Sequence, residues 1–169
     1  MKILGLVLIT LAGVWLGWSA ASGLNRRAAA LDAMEKLIVR IASEIRYTAA
    51  PVRELIFSAS RAAEYRSLRF LEDMERALEA EGDFPRVWIR TVEREGGKCG
   101  FTAEDQALLQ EFGKGLGTSD TQGQTAHCSL YGELFSRQAQ DARREVANKG
   151  KLYIMLGLAG GLGLALLLL

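Results

Sequence analysis

The sequence predicts an all-α protein, an antiparallel bundle of about six helices flanked by an N-terminal and a C-terminal transmembrane helix. Three observations carry that expectation. Ile3 to Leu24 and Leu152 to Leu169 contain no charged residue. The stretch between them places apolar residues at three- and four-residue steps, the spacing of a helix with one buried face. Strand signals are nearly absent: no β-branched run alternates, and no Asn-Gly or Asp-Gly hairpin occurs. The expected division is a first span over 1–24, a bundle over 25–151 and a second span over 152–169.

A helix rises 1.5 Å per residue, so roughly 20 apolar residues cross a ~30 Å hydrocarbon core. The first run meets that length. The second is slightly shorter and spans if Lys149 and Lys151 snorkel at its start. Lys2 with Ser19-Ala20-Ala21 also fits a cleaved signal peptide, but Arg26 and Arg27 follow at once and oppose export, so a retained anchor is expected. Trp15 and Trp18 suit an interfacial aromatic belt. Gly13 with Gly17, and Gly157 with Gly161, form small-xxx-small pairs that let helix backbones approach closely, either within one chain or between subunits.

Between the runs, Leu31, Met34, Leu37, Ile38, Ile41 and Ile45 make one stripe along a helix over about 26–47, which can continue the first apolar run. Thr48 to Pro51 breaks it. Pro51 suits the first turn of a second helix, where its missing N–H is no loss, and Val52, Leu55, Ile56 and Ala59 follow. A third helix over about 67–81 turns Leu68, Leu71, Met74 and Leu78 inward, and Gly82-Asp83 closes it. Phe84-Pro85 opens a fourth helix with Val87, Trp88 and Val92, ended by Gly96-Gly97. Thr102 and Asp105 approximate a capping box for a fifth, with Leu108, Leu109, Phe112 and Leu116. Thr118-Ser119-Asp120 begins the last helix, with Leu130, Leu134 and Val146 as its inner face, and it feeds into the second apolar run.

The charges exclude some functions. Of 21 basic and 20 acidic residues, only Lys2 lies outside 25–151, which leaves no basic field of the kind nucleic acid requires. Lys and Arg flank the apolar runs on the bundle side: Arg26, Arg27, Lys36 and Arg40 at one end, Arg137, Arg143, Arg144, Lys149 and Lys151 at the other. The positive-inside rule therefore puts the bundle in the cytoplasm and both tails outside. Catalytic signals are weak. His127 is the one histidine and reads as a packing or surface residue rather than a ligand. In Phe112-Gly113-Lys114-Gly115-Leu116-Gly117 the glycines end a helix instead of following a strand, so they read as close packing and a left-handed stop, not a phosphate loop. Gly96-Gly97-Lys98-Cys99 reads as a loop. Cys99 and Cys128 match no metal spacing and are expected to be thiols. No cofactor or metal is expected.

With the elements placed, short pieces stand out in order. They are the N-terminal anchor, Glu44-Ile45-Arg46-Tyr47, Pro51-Val52-Arg53-Glu54, Phe84-Pro85 with Trp88, Phe112-Gly113, Leu116-Gly117 with Asp120, and the C-terminal anchor. No single piece is specific. In this order, spacing and total length the chain resembles the stage III sporulation protein AB family along nearly its whole length. Val52 departs mildly, standing where the resemblance leads one to expect leucine.

The resemblance implies a cytoplasmic helical bundle similar to the F-type platform domain of type II secretion and type IV pilus systems. It implies a place on the mother-cell side of the outer forespore membrane, in a feeding-tube-like transenvelope complex needed for forespore development. The implied partner is a secretion-type ATPase, stage III sporulation protein AA. The leading expectation is thus a non-enzymatic platform subunit, able to form a homo-oligomer, with Glu44, Tyr47, Pro51, Glu54, Gly113, Gly117 and Asp120 as docking or structural residues. Polar groups near helix ends also serve as caps and inter-helix links, and these positions suit either use. The alternative is a two-span sensor or adaptor with its bundle outside the cell. That arrangement calls for an output domain after the second span, and the expectation is that none follows Leu169.

Overall fold

A computed structural model of the chain describes residues 2–48 and 50–167, without the side chains of residues 2–4, 6, 7, 9, 162 and 164–167. The described residues form six α-helices and no strand: α1 Lys2–Thr48, α2 Val52–Ser60, α3 Phe70–Glu81, α4 Phe84–Glu95, α5 Ala103–Gly115 and α6 Thr121–Leu167. Two short 3-10 turns, Ala63–Tyr65 and Gly96–Cys99, stand before α3 and after α4. The second replaces the loop expected there, and the first follows α2 where no element was expected.

Helix ends are set by local chemistry. Pro51 stands immediately before α2 with φ −59°, and its carbonyl accepts from the backbone N–H of Glu54 and Leu55. Gly82 closes α3 in the left-handed region at φ +76°, which a side chain would strain. Asp83 accepts from Arg86 N at the start of α4, with Pro85 in the first turn. Thr102 and Asp105 make the capping box of α5 reciprocally. Asp120 Oδ1 accepts from Gly123 N at 2.8 Å, capping α6.

The chain divides into two compact units, Arg27–Gln140 and the pairing of Met1–Arg26 with Asp141–Leu169. Within Arg27–Gln140 the α1 stripe is buried from Leu31 to Ile45, as the spacing predicts, and so are Leu71, Met74, Leu78, Val87, Trp88 and Val92. Trp88 is the centre of this core. Its ring meets Phe70 edge-on at 5.6 Å and Phe112 at 5.8 Å, and its Nε1 donates to the Leu109 carbonyl at 2.7 Å. On α6 the expected inner face needs correction: Leu130 is exposed, Leu134 and Val146 are half-buried, and Cys128, Phe135 and Ala139 are buried. Two of these three are small, and a reading weighted toward leucine misses them.

In the other unit, α1 and α6 lie backbone to backbone. A Cβ on Gly13 would fall 2.6 Å from the Gly157 carbonyl oxygen and 2.9 Å from Gly161 Cα, and one on Gly17 would fall 2.5 Å from the Tyr153 carbonyl oxygen. The two glycine pairs thus face each other within one chain. Leu11, Trp15, Leu16, Trp18, Met155 and Leu156 are exposed on the remaining surface.

The expected membrane spans are not carried by the described residues, among which no helix is long and apolar enough to cross a membrane. Of the two expected spans, Met1, Leu168 and Leu169 lie outside the described residues altogether.

Candidate functional site

Helix ends gather at one end of the Arg27–Gln140 bundle around a pocket of about 460 Å³. Ile45 comes from α1, Pro51, Val52 and Arg53 from the start of α2, Phe84 and Pro85 from the start of α4. Leu116, Gly117, Thr118 and Ser119 come from the α5–α6 connection, and Thr121 and Gln124 from α6. Ile45 and Leu116 are buried side chains that floor it, while Thr118 and Ser119 are exposed at its rim.

The rim loop is braced. Gly117 takes φ +81°, and its N–H donates to Gln124 Oε1 at 2.8 Å. Gln124 Nε2 donates in turn to the Gly115 carbonyl and to Ser119 Oγ, both at 3.0 Å. Gln124 is buried, so each of its amide groups needs such a partner, and a single side chain fixes the turn. Arg53 reaches back to donate to the Leu78 carbonyl at the end of α3, which also accepts from Gly82 N.

The residues singled out in the sequence distribute unevenly here. Pro51 and Gly117 line the pocket. Glu44, Glu54 and Asp120 each neighbour a lining residue, and among the described residues none of the three makes an ion pair. Glu44 Oε2 lies 3.4 Å from Thr48 Oγ1, and Glu54 is exposed. Tyr47 is 79% exposed and belongs to a separate groove between α1 and α6, with Val39, Ala42, Arg46, Cys128 and Gly132. Gly113 is not at the pocket. A Cβ there would fall 2.0 Å from Trp88 Cδ1, so it is the place where the indole meets α5. Gly115 does the same for His127, whose ring stacks on Phe112 at 5.5 Å and whose Nε2 bonds the Phe112 carbonyl at 2.8 Å. His127 is a packing residue.

Two features escaped sequence reasoning. Gln124 gave no signal, because a glutamine in a polar helix start looks like any solvated residue. The other is an ion pair within the bundle. Arg27 Nε and Nη2 donate to the two oxygens of Asp105 at 2.7 and 3.0 Å, Thr102 N donates at 2.9 Å, and Arg27 also reaches Gln138. Burial alone would push the Asp105 carboxyl up, but the Arg27 guanidinium and the Thr102 hydrogen bonds hold it below the usual carboxylate range. Arg27, counted in the sequence as a positive-inside residue, thus spends its charge on Asp105. The thiols are buried too: burial raises the Cys99 thiol, and pushes Cys128 to about 11. They are therefore poor nucleophiles.

The described residues thus form an all-helical bundle with a braced end pocket and a glycine-packed helix pair. The profile of the family described as "Stage III sporulation protein AB" matches residues 2–169, and the chain belongs to that family. It is therefore a sporulation protein, of a family not named for a reaction. It is similar to the stage III sporulation protein AB of Bacillus subtilis (strain 168), with 24% identity over 170 residues that cover 100% of this chain and 99% of the relative. No solved structure matches it.

Proposed function

We propose that the chain is a non-enzymatic platform subunit of the mother-cell transenvelope complex of sporulation. Its apolar ends hold it in the outer forespore membrane, and its bundle docks a secretion-type ATPase, stage III sporulation protein AA, in the mother-cell cytoplasm. One observation supports this reading most: Ile45, Pro51-Val52-Arg53, Phe84-Pro85 and Leu116-Gly117, far apart in sequence, line one pocket. Pieces that only stabilised the fold would be scattered through the core, as Gly113 and Trp88 are. Membrane attachment is supported by the uncharged runs and by the exposed apolar surface of the glycine-packed unit. The Arg and Lys residues beside the runs support a cytoplasmic bundle.

The test is detergent extraction of sporulating-cell membranes that carry tagged chain. Co-purification of the ATPase, together with arrested forespores in a deletion strain, is the expected result. Recovery of the chain alone, with normal spores from the deletion strain, contradicts the proposal.

A further inference from the structure

A groove of about 460 Å³ runs along the side of the bundle between α1 and α6, and it shares no lining residue with the pocket at the helix ends. Its lining is mostly small. Ala42 and Ser43 come from α1, and Thr125, Ser129 and Gly132 from α6. A Cβ on Gly132 would lie 3.6 Å from Ile38 Cγ2, so the two helices run close beneath it. Ile38 and Cys128 are buried at its base, whereas Val39 and Tyr47 stand 62% and 79% exposed. A valine and a tyrosine are thus left uncovered by the fold along one trough.

Shape, backbone and charge each limit what fits there. The lining covers residues 38–47 of α1 and 125–132 of α6, roughly two helical turns at 1.5 Å per residue. Both walls are helical, so their own N–H and C=O groups are already engaged. An extended peptide would find no backbone partners in this trough, whereas a helix brings its hydrogen bonds with it. Arg46 is the one charged lining residue among the described residues. It is exposed, and its side chain makes no ion pair or hydrogen bond with any of them. We propose that this groove receives two turns of an α-helix from a partner protein, its apolar stripe against Val39, Ala42 and Tyr47 and an aspartate or glutamate paired with Arg46. Tyrosine and arginine are the residue types that dominate interface energetics, so Tyr47 and Arg46 would be the anchors. The unpaired guanidinium would also fix which way round the helix lies. The proposal rests on the chemistry of the groove and not on ATPase docking, which is read at the other pocket.

The test uses the full chain in sporulating cells, with the photo-reactive residue p-benzoylphenylalanine at Ser129 or at Tyr47, both exposed. From each position a cross-link to one partner protein is expected, mapping by mass spectrometry to a helical segment that carries a carboxylate. Arg46→Glu and Tyr47→Ala should each lower the Ser129 adduct about tenfold while the purified chain keeps its thermal midpoint. Exchanging the mapped carboxylate for arginine should restore the adduct in Arg46→Glu. No adduct from either position overturns the proposal. So does an adduct to lipid, to a second copy of this chain or to a segment without a carboxylate, a yield that Arg46→Glu leaves unchanged, or a charge exchange that restores nothing. ATPase co-purification is read in the same extracts. If it fails while the adduct forms, the platform reading falls and the groove stands; if it succeeds with no adduct, the groove falls and the platform reading stands.

Discussion

Asp105 is fully buried, and it stays charged because Arg27 of α1 and the Thr102 N–H at the start of α5 converge on its two oxygens. Half of this was legible. Thr102 and Asp105 read as a capping box from their spacing alone, but the arginine lies 78 residues away, and no local rule reaches that far. Replacing Asp105 by asparagine removes the carboxylate that Arg27 Nε and Nη2 bond inside the bundle, and the expected loss is about 3 kcal/mol in urea unfolding. The pH dependence has a definite sign. The carboxyl is held below its unfolded value of about 3.9, so its contribution is complete above that pH and is lost as pH falls through the folded value. Acid unfolding of wild type should therefore steepen below about pH 4, and the Asp105→Asn difference should shrink there. Gly113 is a second single-residue constraint. A methyl group would lie 2.0–2.3 Å from three atoms of the Trp88 ring, which is buried and tethered to Leu109. Gly113→Ala should cost about 1–3 kcal/mol through overpacking, read as a lower urea midpoint with an unchanged slope.

Among the elements, the helices that announce themselves are those whose buried face is built from large side chains. The stripe from Leu31 to Ile45, the α3 face through Leu71, Met74 and Leu78, and the α4 face through Val87, Trp88 and Val92 are all buried. Buried α6 is lined by Cys128, Phe135 and Ala139, and two of those three are small. Leucine at position 130 points the sequence reading to the wrong face. The apolar ends carry a different kind of signal. Their glycine pairs mark close approach without naming the partner, and the geometry supplies it: Gly13 and Gly17 face Gly157 and Gly161 of the same chain. Gly157→Leu would drive a side chain into the Gly13 carbonyl, 2.5 Å from where its Cβ would sit, whereas Gly160 has open space around it. In detergent, Gly157→Leu should lower the thermal midpoint by about 4–8 °C for a cost near 2 kcal/mol, and Gly160→Leu should leave it unchanged.

At the level of the whole molecule, family membership, helicity and the order of the elements were readable from sequence, because they rest on local periodicity and on short motifs. The pocket was not, since its lining comes from four separate stretches that only the fold brings together. The proposed platform depends on one physical fact: the bundle must share a compartment with the ATPase. A single cysteine introduced as Glu79→Cys, exposed on α3, reports this directly, because the native Cys99 and Cys128 are buried and react poorly. Non-sporulating cells expressing that variant, in which the chain enters the cell membrane itself, are treated with a membrane-impermeant maleimide before and after permeabilisation. Labelling only after permeabilisation is the predicted result, whereas labelling in intact cells would place the bundle outside and contradict the account.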